Sequence, residues 1–383
     1  MIELKNVVAE YTTKRGRMNA VDGISLIIPD GVIVGIAGES GCGKSTLMKV
    51  LYGDLGFPLK LATGSVDYGF TNDQGKPVTD TNIQREWFRK ISIIPQSSMS
   101  SLNPVIRIRE QFTDFPAASR NKKATLAKAR EFVQRIGLPP ESLDAYPHQL
   151  SGGMRQRIMV ALATFLEPEI ILADEPTTAL DVVVQREILL LLLDLQEKMK
   201  NTIIFVSHDM GVHYQFTHRM LIMYAGKAVE YAPTEEVFSE PLHPYTMLLT
   251  SALPTIGDDR AREGLPGRPP SLWDPPTGCR FAPRCPLATQ LCRNEEPALV
   301  EVRPGHLSAC HHIDKIPGLR ADLSRKPTLD EMDASSLIAQ AQKDLQLEHE
   351  GDRAPEGVDT TAEPTVVGLL PDGEPISTER GQR

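Results

Sequence analysis

Long hydrophobic runs are missing from this 383-residue chain. None approaches the roughly 20 apolar residues that span a bilayer. The start, MIELKNVVAEY, lacks a basic-then-apolar layout, so export is not expected. A soluble, cytoplasmic protein is expected, which leaves docking onto a membrane protein open. Aromatic residues are scarce, at 5 %. Positive charge is in deficit: the formal net charge is −9, which argues against a general nucleic-acid binder. Cysteine is sparse as well. Of the five cysteines, Cys279, Cys285, Cys292 and Cys310 cluster late, far from Cys42. In a reducing compartment such a cluster points to metal or redox chemistry rather than to disulfides. No internal repeat is visible.

What is present is enough for a sizeable core, since 41 % of residues are hydrophobic. At about 100–200 residues per domain, two or three units are expected. VIVGIA, ISIIPQ, EIILADEP and TIIFVSHD are short, β-branched runs, apolar on both faces, and read as buried strands. Helical stretches such as GKSTLMKVLYG and VQREILLLLLDLQEKMK lie between them, which implies an α/β fold with a parallel sheet. LKNVVAEY and GISLIIPDG read as an antiparallel β layer at the N-terminal end. Residues 97–165 read as an inserted helical subdomain. A unit rich in Pro, Cys and Arg follows from about residue 241 to 315. Residues 316–383 read as a linker, a short helix (SSLIAQAQKDLQLEHE) and a polar, disordered tail.

GESGCGKS fits G-x-x-x-x-G-K-[ST] through Gly38, Gly43, Lys44 and Ser45. Glycines let backbone N–H groups turn inward around phosphates. Lys44 is expected to reach the β- and γ-phosphates and Ser45 to ligate Mg²⁺, with Thr46 beside it. Ser40, Gly41 and Cys42 complete the loop that would hold ATP. The helix that starts here adds its positive end. In PEIILADEP, Asp174 and Glu175 sit together at a strand end, which is costly unless a cation is near. Asp174 is assigned to Mg²⁺ and Glu175 to the attacking water as general base. His208, ending another strand, is assigned to the γ-phosphate. Gln96 is assigned to Mg²⁺ or the lytic water, and Tyr11 to stacking on adenine.

HQLSGGMRQR decides the class. Leu150, Ser151, Gly152, Gly153 and Met154 resemble the signature motif of ABC-transporter ATPases. Together with the phosphate loop, ILADEP, TTALD and SHD in that order, the resemblance covers about residues 1 to 240. It implies a RecA-like core with a helical subdomain, and a head-to-tail pair of ATPase domains. The Ser151–Gly152–Gly153 tip would serve the ATP of a partner, and Asp181 would contact that partner. QSSMSSLNPVIRIREQF, LSGGMRQR, PLHPYTMLLTSALP and GCRFAPRCPLATQLCRNEEPAL…GHLSACHH look more narrowly like ATP-binding subunits of oligopeptide and dipeptide importers. That resemblance implies a second, homologous ATPase subunit forming a heterodimer, two transmembrane permease subunits and an extracytoplasmic solute-binding protein. It also implies a peripheral position on the cytoplasmic face of the membrane. The same subfamily imports oligosaccharides or nickel, so the cargo stays open. A soluble, non-transport ABC ATPase is the rival from another class, although no long coiled coil or second ATPase domain is visible.

The late cysteines follow C-x5-C-x6-C-x17-C, unlike the C-x2-C rhythm of zinc ribbons. Thiolates without tight pairs suit an iron–sulfur cluster, and proteins resembling this one carry a [4Fe–4S] cluster here. Zinc is the alternative, with His306, His311 or His312 as substitute ligands. Free buried cysteines are the third reading.

Overall fold

The computed structural model describes residues 1–96, 101–114, 121–178, 180–253 and 265–324. The expected helix at residues 335–350 and the tail lie outside these. The described residues fall in one compact unit, Met1–Met332.

The antiparallel layer is a sheet in the order β2-β1-β4-β5, formed by β1 (Ile2–Thr13), β2 (Gly16–Ile28), β4 (Leu59–Thr71) and β5 (Pro77–Thr79). The larger sheet has eight described strands. Its parallel centre is β3 (Ile33–Ala37), β6 (Ile91–Ile94), β7 (Ile170–Asp174), β8 (Thr202–Val206) and β9 (Arg219–Tyr224). With β10 (Lys227–Pro233), β11 (Val300–Arg303) and β12 (His306–Ser308), its order is β11-β12-β10-β9-β3-β8-β7-β6. The α/β class read from the sequence is what forms.

The apolar runs become central strands because both faces are covered. Val34, Ile36, Leu172, Ile204 and Val206 face one core, shared with the antiparallel sheet and α1 (Lys44–Tyr52). Ile33, Ile171, Ala173, Ile203 and Phe205 face the opposite core, shared with the helical subdomain. That subdomain contains α2 (Ile108–Thr113), α3 (Lys122–Arg135) and α4 (Gly152–Thr164). Each fully buried Val, Leu or Ile contributes about 1.5–3 kcal/mol of transfer free energy, so the sheet holds its strand ends, where the chemistry sits, on a rigid base. Next to the subdomain, α5 (Val182–Met199) packs on α4.

The expected boundary near residue 240 coincides with no break in packing. β10 (Lys227–Pro233) pairs antiparallel with β9 on one side and with β12 (His306–Ser308) on the other, and β11 (Val300–Arg303) pairs with β12. The Cys-rich segment thus extends the same sheet. α6 (Met210–Phe216) precedes β9; α7 (Thr234–Ser239), α8 (Pro244–Ser251) and α9 (Gln290–Asn294) run between β10 and β11, and α10 (Ile316–Ser324) follows β12. β11 and β12 are only four and three residues long, too short for a period to stand out in the sequence.

Candidate active site

β3 delivers the chain into the loop Gly38–Gly43, and α1 leaves it. Gly38 has φ 148° and Gly43 φ 106°. A Cβ on Gly38 would lie 2.1 Å from the Met223 carbonyl oxygen, and one on Gly43 2.2 Å from that of Ala20. No side chain fits at either position, so the backbone can pass close to its neighbours. Gly43 caps α1 without any side-chain hydrogen bond, which leaves the first N–H groups of the helix free for an anion. The buried Lys44 ammonium donates to the carbonyls of Gly38 (2.7 Å) and Glu39 (3.1 Å) and so lies over the loop.

Asp174 ends β7. Its Oδ1 is buried and has no hydrogen-bond partner. Burial pushes its pKa up, and the neighbouring Glu175 charge adds to this; the Ser45 hydroxyl, Lys44 and Lys49 pull the other way. A partnerless buried carboxylate oxygen beside a hydroxyl is the hard oxygen pair that Mg²⁺ takes. The residues present fit that ion.

Glu175 has φ 47°, a left-handed conformation that costs of order 1–3 kcal/mol for such a residue. The turn is fixed by its N–H, which donates to the Val206 carbonyl at 3.0 Å. Its Oε2 accepts from the Gln96 amide and from the Thr178 hydroxyl, each at 3.0 Å. His208 Nδ1 stands 3.7 Å from Oε1, on a largely exposed ring. Glu175, Gln96 and His208, distant in sequence, therefore converge, with the Gln96 amide directed at Glu175. Thr178 is a partner that the sequence reading missed. The Tyr11 hydroxyl lies 3.4 Å from that of Thr46, on the first turn of α1.

Ser151 is the N-cap of α4 and accepts from the Met154 N–H at 3.3 Å. Leu150 is buried, whereas Ser151 is exposed. A Cβ on Gly153 would lie 3.0 Å from Val184 Cγ1, so Gly153 lets α4 approach α5 closely. The Gln156 side-chain amide donates to the Pro176 carbonyl, tying the signature helix to the turn after Glu175. Asp181 caps α5, accepting from the N–H groups of Val183 (3.1 Å) and Val184 (3.0 Å). That capping role was not anticipated. Beside it, Val182 and Val183 are exposed.

Cys279, Cys285, Cys292 and Cys310 line one small cavity, with His243, His311 and His312. Burial pushes the Cys285 thiol up to about 12 and the Cys310 thiol up to about 11. Among the described residues, no group of three or more His, Cys, Asp or Glu is arranged to hold a metal ion, so neither the expected cluster nor the zinc alternative gains support from the arrangement of these residues. Each histidine named as a substitute already has a hydrogen-bond partner. His306 is bonded to Glu230 (2.7 Å) and Glu236 (2.8 Å), His312 Nε2 to the Thr289 hydroxyl (2.8 Å), and His311 Nε2 to the Glu295 carbonyl (3.0 Å).

A phosphate loop followed on the next strand but one by a paired acidic strand end, with a glutamine and a histidine closing on the second acid, is the site of an ATPase of the α/β class. Comparison with known proteins narrows the class. The model of the ABC transporter family matches residues 21–178, and that of the oligopeptide/dipeptide transporter C-terminal region matches residues 229–292. The chain is 36 % identical over 317 residues to the dipeptide transport ATP-binding protein DppD of Escherichia coli, covering 82 % of this chain and 96 % of that one. It is 38 % identical over 300 residues to the oligopeptide transport ATP-binding protein AmiE of Streptococcus pneumoniae, covering 76 % and 83 %. Among solved structures, it is similar to a dimeric, post-hydrolysis ATP-binding cassette, MJ0796, bound to ADP and Pi (TM-score 0.51, 28 % identity, covering 61 % of this chain and 99 % of that one). It is also similar to cbiO1 of Clostridium perfringens (TM-score 0.52, 26 % identity, covering 62 % and 90 %). The chain belongs to the ABC transporter family, in the branch that carries the oligopeptide/dipeptide C-terminal region.

Proposed function

We infer that this chain is the ATP-hydrolysing subunit of an ABC importer of the oligopeptide/dipeptide class. The observation that carries the chemistry is the convergence of Gln96, Thr178 and His208 on the Glu175 carboxylate, one residue beyond the unpartnered Asp174 oxygen. The importer class rests on the C-terminal region and on relatives named for dipeptide and oligopeptide transport. In this reading residues 1–240 are the nucleotide-binding domain, 241–315 the extension of this class, and 316–383 a linker and tail.

Loop N–H groups from Gly38 to Thr46, the α1 N-terminus and Lys44 hold the triphosphate, with Tyr11 against the adenine. Ser45, Asp174 and Gln96 would hold Mg²⁺, which would supply positive charge beside the transferring phosphoryl group. Glu175 accepts a proton from the attacking water, and Gln96 and Thr178 fix the orientation of its carboxylate. His208 donates toward the γ-phosphate. The Leu150–Met154 tip, with Ser151 at its end, supplies the N–H groups that close over a partner's ATP, while Asp181 and the exposed Val182 and Val183 meet the partner. That partner is a second, homologous ATPase chain. Closure and reopening of the pair drive two membrane permeases fed by an extracytoplasmic solute-binding protein, with the exposed Val105 in the docking surface. No described helix is long and apolar enough to cross a membrane, and the chain sits peripherally on the cytoplasmic face through its permeases.

The cysteine set is read as the seat of a [4Fe–4S] cluster. A mononuclear zinc site draws its sulfurs to within about 2.3 Å of one point. Cys279, Cys285, Cys292 and Cys310 would hold the cluster, since all four line one cavity. Anaerobic purification yielding a brown protein supports the cluster; a colourless protein with one zinc per chain overturns it.

Glu175→Gln is expected to retain ATP while lowering turnover about 10²–10⁴-fold, measured as phosphate release by the assembled transporter. Unaltered hydrolysis removes Glu175 as the base.

A further inference from the structure

The acid at the start of the phosphate loop is held from the far end of the chain. Arg284 lies on the turn between Cys279 and Cys285. Its guanidinium grips the Glu39 carboxylate with both arms, Nη1 to Oε2 at 2.6 Å and Nη2 to Oε1 at 2.9 Å. Nη1 also donates to the Tyr224 hydroxyl at 3.0 Å, and Nε to the Pro266 carbonyl at 2.6 Å. The Arg284 side chain is 5 % exposed and that of Glu39 22 %. Two further struts reach the loop from the same side. The Glu39 N–H donates to the Tyr245 hydroxyl on α8 at 2.8 Å. Arg280, on the same cysteine turn, bonds to the Ala225 carbonyl and to Asp22. The next residue in that hairpin, Gly226, donates its N–H to the Cys42 carbonyl of the loop at 2.8 Å.

Glu39 is an anomaly in this position. The loop is built to receive a polyanion, and Lys44 already binds the carbonyls of Gly38 and Glu39. An uncompensated carboxylate there opposes ATP. We propose that Arg284 is a positioning residue for ATP: it cancels the charge of Glu39 beside the phosphate site and holds the loop in its open cradle, so that the cysteine turn sets nucleotide affinity. This rests on the nucleotide reading above and adds to it a role for the C-terminal extension. The fork geometry matters as well as the charge, because a guanidinium matches a carboxylate in two parallel bonds and an ammonium does not.

The test is equilibrium binding of AMP-PNP with Mg²⁺ to the full chain, by calorimetry, with thermal melting of the nucleotide-free protein beside it. Arg284→Met is expected to weaken binding about tenfold, from the uncompensated Glu39 carboxylate facing the anionic Mg²⁺–nucleotide complex. Adding Glu39→Gln is expected to restore affinity to within about threefold of wild type, as a double-mutant cycle reads coupling between the two side chains. A merely structural brace does not show that rescue. Should Arg284→Met fail to melt cooperatively, Arg284→Lys takes its place, with an expected loss of about two- to threefold from the missing fork. Unchanged affinity in the Arg284 variants, or a loss that Glu39→Gln leaves in place, overturns the proposal. Wild-type protein that binds no AMP-PNP overturns the nucleotide site itself; wild-type binding with unmoved variants overturns only this inference.

Discussion

Two glutamate–histidine clusters in this molecule use the same chemical groups for opposite ends. Around Glu175, the histidine is 71 % exposed and 3.7 Å away, and the carboxylate is held by neutral donors from Gln96 and Thr178. Around Glu230, His306 is fully buried on β12 and spends both ring nitrogens, Nε2 on Glu230 at 2.7 Å and Nδ1 on Glu236 at 2.8 Å. Glu230 also accepts from the Leu242 N–H at 2.6 Å. The first cluster keeps one partner loose and one face open, as a group that must take a proton from water requires. The second is built on two fully buried side chains, Glu230 and His306, and staples β12 and α7 to β10. Openness, rather than residue type, separates chemistry from structure here.

Exchanging the effect of the two histidines is the strongest way to break this contrast. His208→Ala removes one donor at the developing charge, so turnover should fall about 10²–10³-fold. Stability should move by no more than about 0.5 kcal/mol, as for other surface changes. His306→Leu should do the reverse. It leaves a buried carboxylate without its partner, a loss of about 3–5 kcal/mol, with turnover per folded molecule preserved. Denaturant melts and ATPase assays on both variants check this. A destabilised His208→Ala with intact turnover ends the distinction.

Acidity sharpens the comparison with a third histidine. Burial works against a charged His306, but the Glu230 and Glu236 carboxylates outweigh it and hold its pKa above the ordinary 6.5. Its contribution is therefore complete below pH 6.5 and is lost as pH rises through the folded value. His213 on α6 is the opposite case. Its ring is fully buried, with Nε2 3.0 Å from the Ser207 carbonyl, and burial lowers its pKa to about 4. The folded state then refuses a proton that the unfolded chain accepts, so stability drains away between pH 6.5 and about 4. In a pH series of denaturant melts, His213→Gln should flatten the acid-side loss, and His306→Leu should remove the gain seen on moving below the raised His306 pKa. An acid limb that His213→Gln leaves unchanged sinks this assignment.

The two clusters also differ in how far the sequence disclosed them. Gly38 to Thr46, the Asp174–Glu175 pair and the Ser151 tip are contiguous motifs whose spacing carries their physics. The central strands announced themselves as doubly apolar runs. Gln96, Glu175 and His208 each follow the end of such a run, so their place at one edge of a parallel sheet was legible, whereas the closing of Gln96 and His208 on the Glu175 carboxylate was not. Nothing local marks Glu230, Glu236 and His306 as partners, because their meeting depends on β12 joining β10 across some seventy intervening residues. Arg284 and Glu39 lie 245 positions apart, and a glutamate inside a glycine loop looks solvated until its partner is placed. The same limit applies to the extension's strands: at four and three residues they are too short to declare themselves, and they pair by context.

Asp181 offers the finest test, because the reading from sequence and the fold give it different tasks. The resemblance makes it a contact across the ATPase pair, whereas its carboxylate caps α5 by accepting from Val183 and Val184. Asparagine caps a helix about as well as aspartate, and alanine costs about 1 kcal/mol at such a position. Asp181→Ala should therefore lower stability by about that amount, while Asp181→Asn leaves it unchanged. Turnover of the assembled pair then separates the tasks. If the charge is used by the partner, Asp181→Asn slows ATP hydrolysis at full stability. If turnover in Asp181→Asn equals wild type, the residue works for its own helix alone, and it joins His306 among the groups whose chemistry is spent inside the fold.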